Sequence, residues 1–120
     1  MRLEGDFYKV IKIDQIDNSY KIEVELFANH SIYNGHFPQQ PVVPGVCTLT
    51  IIKECIEKIH SGCISFKSIK ECKYLSALIP QEGLRITINL AIEDDDKVNA
   101  TVIRVDNQQT VLKLKASLMR

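Results

Sequence analysis

The residues best suited to chemistry lie in one stretch, Asn29-His30-Ser31-Ile32-Tyr33-Asn34-Gly35-His36-Phe37-Pro38-Gln39-Gln40-Pro41-Val42-Val43-Pro44-Gly45. Pro38, Pro41 and Pro44 exclude a central strand and a helix interior here. They stiffen the chain and lower the entropy of its unfolded state. His36 carries an imidazole that titrates near neutral pH, which makes it the candidate general base. The stretch leads directly into a helix start, where the Gly45 and Val46 amides lack intrahelical acceptors. Such donors, aided by the helix dipole, can hold a carbonyl oxygen as it gains negative charge. A base and an oxyanion donor on one stiff stretch make a site-like arrangement.

The elements that must position these residues follow from hydrophobic periodicity. Leu49, Ile52, Cys55, Ile56 and Ile59 recur at three- and four-residue steps, which predicts a helix over 46–60 with one apolar face. Lys53 with Glu57, and Glu54 with Lys58, are i,i+4 pairs suited to an exposed flank. Ser61-Gly62 ends the helix. Tyr20, Ile22, Val24 and Leu26 alternate with charged residues and predict a half-buried strand, preceded across Asp17-Asn18-Ser19 by a β-rich stretch at 7–16. Four more strands are expected at 64–75, 84–92, 98–105 and 111–118, with polar turns at 93–97 and 106–109. One helix against one antiparallel sheet is an α+β layout. Its open edges call for cover, so a dimer that continues the sheet is expected.

Composition narrows the function classes. A chain of 120 residues is one domain, 1–120, because two halves would each be too small for a core. Apolar residues at 45% and charged residues at 25% argue against disorder. Fifteen basic residues balance fifteen acidic ones, which argues against a nucleic-acid partner. No apolar run reaches the length of a membrane span, and the N-terminal residues do not resemble a signal peptide, so a cytoplasmic location is expected. Cys47, Cys55, Cys63 and Cys72 form no metal-ligand spacing and read as small apolar residues, so no metal is expected.

The run Gly35-His36-Phe37-Pro38-x-x-Pro41-Val42-Val43-Pro44-Gly45-Val46 closely resembles the signature of the 3-hydroxyacyl-acyl-carrier-protein dehydratases, hot-dog-fold enzymes of fatty acid synthesis. Lys73-Tyr74-Leu75-Ser76-Ala77-Leu78-Ile79-Pro80 and the closing Lys115-Ala116-Ser117-Leu118-Met119 also look like that family. The resemblance implies an antiparallel sheet wrapped around a central helix. It implies a homodimer or higher even oligomer, with an apolar acyl channel near the interface. It implies dehydration of 3-hydroxyacyl thioesters on acyl carrier protein, with no cofactor. His36 then abstracts the α-proton, the Gly45 amide holds the thioester carbonyl, and the Val42 carbonyl orients the imidazole. Phe37 and Val46 fall at substrate-binding positions of the same motif.

Two positions depart from the pattern. The family carries an acid fourteen residues after the motif His, and this chain has Thr50 there. A threonine hydroxyl has no useful acidity near neutral pH, though it can orient a water or the substrate hydroxyl. Gln39 replaces the family's Gly after His-Phe-Pro. Glu54, one turn on, admits three readings: an acid displaced by one turn, reaching back toward the N-terminus; a carboxylate paired with Lys58 on a solvated flank; or some other contact. His30 reads as a loop residue, and His60 suits the helix C-terminus. Tyr33 suits a channel mouth or a cap on the core. Lys67, Lys70 and Lys73 suit either a basic rim for an acidic carrier or a solvated strand face. Thr50 also motivates an alternative function, an acyl-binding subunit without turnover. Thioester hydrolysis on the same fold is a third.

Overall fold

The computed structural model describes residues 2–28, 30 and 42–119. Among them run six strands and one helix: β1 (Tyr8–Ile16), β2 (Ser19–Leu26), α1 (Gly45–His60), β3 (Ser65–Tyr74), β4 (Arg85–Ile92), β5 (Lys97–Arg104) and β6 (Thr110–Met119). The strands form one antiparallel sheet in the order β1-β2-β4-β5-β6-β3. This is the α+β hot-dog arrangement that the sequence resemblance implies, with element boundaries within a residue or two of the periodicity.

Alternation sets which face meets the helix. Ile22 and Val24 of β2 stand in register beside Ile88 and Ile86 of β4, and these beside Val102 and Arg104 of β5. Ile86, Ile88, Leu90, Val98, Ala100, Val102, Leu112, Leu114, Ala116 and Leu118 are all buried, as are Cys47, Ile51, Ile52, Cys55 and Ile56 of α1. They form one core cluster. The opposite face is polar; Arg85 there bridges Glu23 and Glu25 of β2. Each buried Ile or Leu stabilises the fold by about 1.5–3 kcal/mol relative to exposure, so the helix is held by its apolar face more than by its caps.

Turns fall where the polar clusters predict them. Asp17, Asp96 and Gln108 take φ of 55°, 64° and 59°, the left-handed region that short polar side chains tolerate best. At the end of α1 it is Ser61, at φ 55°, that turns left-handed, and its amide reaches the Glu57 carbonyl. Both edge strands are irregular. The register of β1 shifts between Val10 and Lys12, and that of β3 shifts twice, leaving Lys67 and Lys70 unpaired at the breaks. Bulges and lysines blunt edges against uncontrolled pairing.

The cysteines divide. Cys47 and Cys55 are buried as expected, Cys72 is half-buried, and Cys63 is exposed, a correction to the reading of all four as interior residues. Burial pushes the Cys55 thiol from its ordinary 9.0 up to about 12. The unfolded chain therefore releases this proton at lower pH than the folded one. The contribution of Cys55 is whole below pH 9.0 and is lost as pH rises toward about 12. Denaturant melts of the reduced protein across this window should show stability falling with pH. Cys55→Ala should flatten that slope, after an offset for the lost side chain.

Candidate functional site

The start of α1 is built as the proline pattern requires. Pro44 is the N-cap, extended at φ −60° and ψ 140°, and it offers no side-chain cap. Its carbonyl accepts the Cys47 and Thr48 amides at 2.9 and 3.3 Å. No acidic side chain lies in the first turn, and the Gly45 and Val46 amides donate to no acceptor among the described residues. Two donors are left open at the positive end of the helix dipole.

Gly45 lets the Tyr74 ring lie directly against the helix start. A Cβ at position 45 would lie 2.6 Å from Cε1, 2.8 Å from Cζ and 2.9 Å from the hydroxyl oxygen of Tyr74. Beside this contact opens a cleft of ≈300 Å³, lined by Val42, Gly45, Thr48, Tyr74, Leu78 and Val111 among others. Its walls are pinned by backbone: Val43 donates to the Leu78 carbonyl and Leu75 to that of Val111, each at 2.8 Å. Ser76 Oγ adds a bond to the Thr110 carbonyl at 3.0 Å. A larger depression of ≈700 Å³ lies over Asp14, Lys21, Asn89, Asn99 and Thr101. These side chains are on the outer face of the sheet, away from the helix, so size does not make it the reactive site.

The predicted site residues separate into three groups. Val42, Gly45 and Val46 gather at the helix start; Val42 and Gly45 line the cleft, and Val46 is exposed. His36 and Phe37, like Tyr33 and Gln39, lie outside the described residues. Thr50 and Glu54 diverge. Thr50 is half-buried and donates its hydroxyl proton to the Val46 carbonyl at 2.8 Å. Glu54 is only 2% exposed. Its carboxylate accepts from the Leu3 amide at 2.8 Å, the Glu4 amide at 2.9 Å and the Tyr8 hydroxyl at 2.9 Å.

The solvated-flank reading of Glu54 is thereby corrected, and the structure shows another contact, with the N-terminal segment. It is not on a solvated flank: Lys58 pairs with Glu4 at 2.9 Å, and Glu57 with Arg2 at 3.2 Å. Against a role as an acid displaced by one turn, both its oxygens face the N-terminal segment, which fills three of about four acceptor sites. At about 100° per residue, Glu54 lies just past Cys47, at one end of the buried arc, and residues 3–8 cover it. Burial pushes the Tyr8 hydroxyl well above the usual phenol range, so it keeps the proton it donates. Tyr8 and the Leu3-Glu4 amides carry no sequence signal for this role. Their partner is about fifty residues away, and only the fold brings them together.

The other candidates are simpler. His30 is half-buried, with its ring edge-on to Phe7 at 5.3 Å. His60 ends the helix with its Nε2 buried and, among the described residues, without a hydrogen-bond partner. Lys67, Lys70 and Lys73 are exposed, and Lys73 pairs with Glu71 at 2.9 Å. Among the described residues no helix is long and apolar enough to cross a membrane. No His, Cys, Asp and Glu side chains there gather as a metal site.

Comparison with known proteins adds to this geometry. The model of a family described as ApeI-like, ApeI dehydratase, matches residues 12–114. A 3-hydroxyacyl-acyl-carrier-protein dehydratase FabZ of Clostridium botulinum (strain Loch Maree) is 29% identical over 89 residues, 68% of this chain and 62% of that protein. The chain thus spans less than two-thirds of that relative's length. A FabZ of Lactiplantibacillus plantarum is 24% identical over 102 residues, 75% of this chain and 69% of that one. The solved dehydratase heterocomplex ApeI:P of Xenorhabdus doucetiae superposes with a TM-score of 0.78 at 23% identity, over 92% of this chain and 96% of that one.

Two substitutions test the packing at this site. Tyr8→Phe strips one donor from Glu54 and should cost about 1–2 kcal/mol. Glu54→Leu leaves two amides and a hydroxyl unpaired and should cost about 3 kcal/mol or more, both read by denaturant melts. Gly45→Ala should fold within about 1 kcal/mol of wild type, because the half-exposed Tyr74 side chain can yield and Ala favours a helix. The Tyr74 ring should then leave the helix start, a change visible in its NMR ring resonances.

Proposed function

The chain belongs to the ApeI-like dehydratase family, and on that footing we propose that it removes water from 3-hydroxyacyl thioesters carried on acyl carrier protein, giving trans-2-enoyl thioesters. The observation that carries this reading is the pair of open amides at Gly45 and Val46, beside a largely apolar cleft. The chain that leads into them holds His36 nine residues earlier.

In this reading His36 takes the α-proton, and the C–H electrons pass toward the thioester carbonyl. The Gly45 amide stabilises the oxygen as it gains charge. The Val42 carbonyl orients the imidazole, while Phe37 and Val46 offer apolar contact to the acyl chain. The electrons then form the double bond as the 3-hydroxyl departs. Thr50 spends its own proton on Val46, so its remaining lone pairs can hold a water. Through that water the imidazolium returns its proton to the departing hydroxyl, releasing water and restoring neutral His36. The balance closes without a carboxylic acid at position 50 and without a cofactor. The working form is a cytoplasmic homodimer that continues the sheet.

One observation favours a second reading. Position 50 has no carboxyl, and that of Glu54 is committed to the N-terminal segment. A chain so built could bind acyl groups without turning them over.

Incubation with a 3-hydroxyacyl carrier protein, followed by mass spectrometry of the acyl group, separates these readings. Loss of one water is expected, with His36→Ala slower by about 10²–10⁴-fold. Equal rates in His36→Ala would remove the base assignment. Binding without turnover, together with activity gained by Thr50→Glu, would favour the acyl-binding subunit. Free acid as product would mean hydrolysis.

A further inference from the structure

We propose that the Tyr74 hydroxyl is a second hydrogen-bond donor to the thioester oxygen held by the Gly45 amide, so that the oxyanion site joins one backbone donor to one side-chain donor. The proposal rests on the dehydratase reading above and names a positioning of charge that the sequence motif does not contain.

The phenol meets the helix start with its outer end. The atoms nearest a Cβ at Gly45 are Cε1, Cζ and the hydroxyl oxygen, at 2.6, 2.8 and 2.9 Å. A helical Cβ leans toward the N-terminus, so these atoms lie on the side toward which the first-turn amides open. Tyr74 and Gly45 line the same cleft, with Val42, Leu78 and Val111 as apolar walls. A thioester oxygen placed at the Gly45 amide would therefore have the phenol beside it.

The hydroxyl is available as a donor. Among the described residues it makes no hydrogen bond to a carboxylate or carbonyl; its polar neighbour is the Cys72 thiol, a weak acceptor. Desolvation, and then Cys72, hold the phenol above its ordinary value. It thus keeps its proton at neutral pH, which suits a hydrogen-bond donor and not an acid. No proton leaves Tyr74 in the step, and the route through His36 is unchanged. Tyr74 is 55% exposed, so a ligand can reach it, and the arriving acyl group would exclude the water around it. A donor in a water-excluded site is worth far more than one in solvent.

The test is Tyr74→Phe, which keeps the ring against Gly45 and removes only the oxygen. On the full chain, kcat should fall about 10- to 100-fold with KM within about twofold. A second readout does not need turnover. With crotonyl-acyl carrier protein labelled with ¹³C at the thioester carbonyl, difference infrared spectroscopy reports the hydrogen bonds on that oxygen. The band should be red-shifted on the wild-type protein, less so on Tyr74→Phe, and further with 3,5-difluorotyrosine at position 74. His36→Ala should leave it in place. An unchanged kcat and band in Tyr74→Phe would overturn the proposal, as would a rise in KM alone or an unshifted band on the wild-type protein. Absence of water loss with the wild-type chain would instead overturn the dehydratase reading, with the infrared result still standing for Tyr74.

Discussion

A tyrosine ring pressed against the backbone leaves room at position 45 for a hydrogen and nothing larger. The close approach fixes several things together. It holds only while glycine is the first helical residue, and it lets the end of β3 reach the N-terminus of α1. Among the described residues no side chain caps the first turn, and Gly45 lines a cleft there. Pro44 contributes in a complementary way. It is extended, it has no amide of its own to satisfy, and its carbonyl closes the first turn on Cys47 and Thr48. A serine or aspartate cap would stabilise the helix by about 1 kcal/mol, but its oxygen would occupy an amide that this site leaves open.

The fold was largely legible in the sequence because the sheet buries one face only. Alternation in Tyr20–Leu26 and Leu84–Ile92 follows directly from that, and so does the three-four spacing along α1. The stretch at 64–75 alternates poorly, and the structure supplies the reason: two register breaks, at Lys67 and Lys70, interrupt the period in β3. The helix start was legible from Pro44-Gly45. Tyr74 as its partner was not, since a contact between residues 45 and 74 leaves no local trace.

Glu54 shows where helical periodicity stops being informative. On the wheel it shares a polar arc with Thr50 and Lys58, and nothing local distinguishes it from them. The difference lies in what covers each position. Residues 3–8 pass over Glu54 and bring two amides and a hydroxyl to it, whereas Thr50 stays half-open and bonds back to its own helix. A buried carboxylate is tolerable only when its acceptor sites are filled. Once they are filled by the N-terminal segment, the group is a clasp for that segment. The two positions are one turn apart in sequence and serve different surroundings.

The two sheet edges are unequal for the same kind of reason. Outer strand β1 ends in the exposed Ile16 and carries Lys9 and Lys12, with one register break. Outer strand β3 carries two breaks and ends at Tyr74, on the cleft. Continuation of the sheet at β3, the geometry that would set the proposed dimer beside the site, must work around Lys67 and Lys70. Breaks of this kind limit pairing to short stretches between them, which lowers the gain from any indiscriminate strand partner. A partner that also buries Ile69, Tyr74 and Leu75, which are exposed in the single chain, recovers apolar area that an arbitrary strand would not. Selectivity at this edge would then come from side chains, and the ring that roofs Gly45 would be one of them.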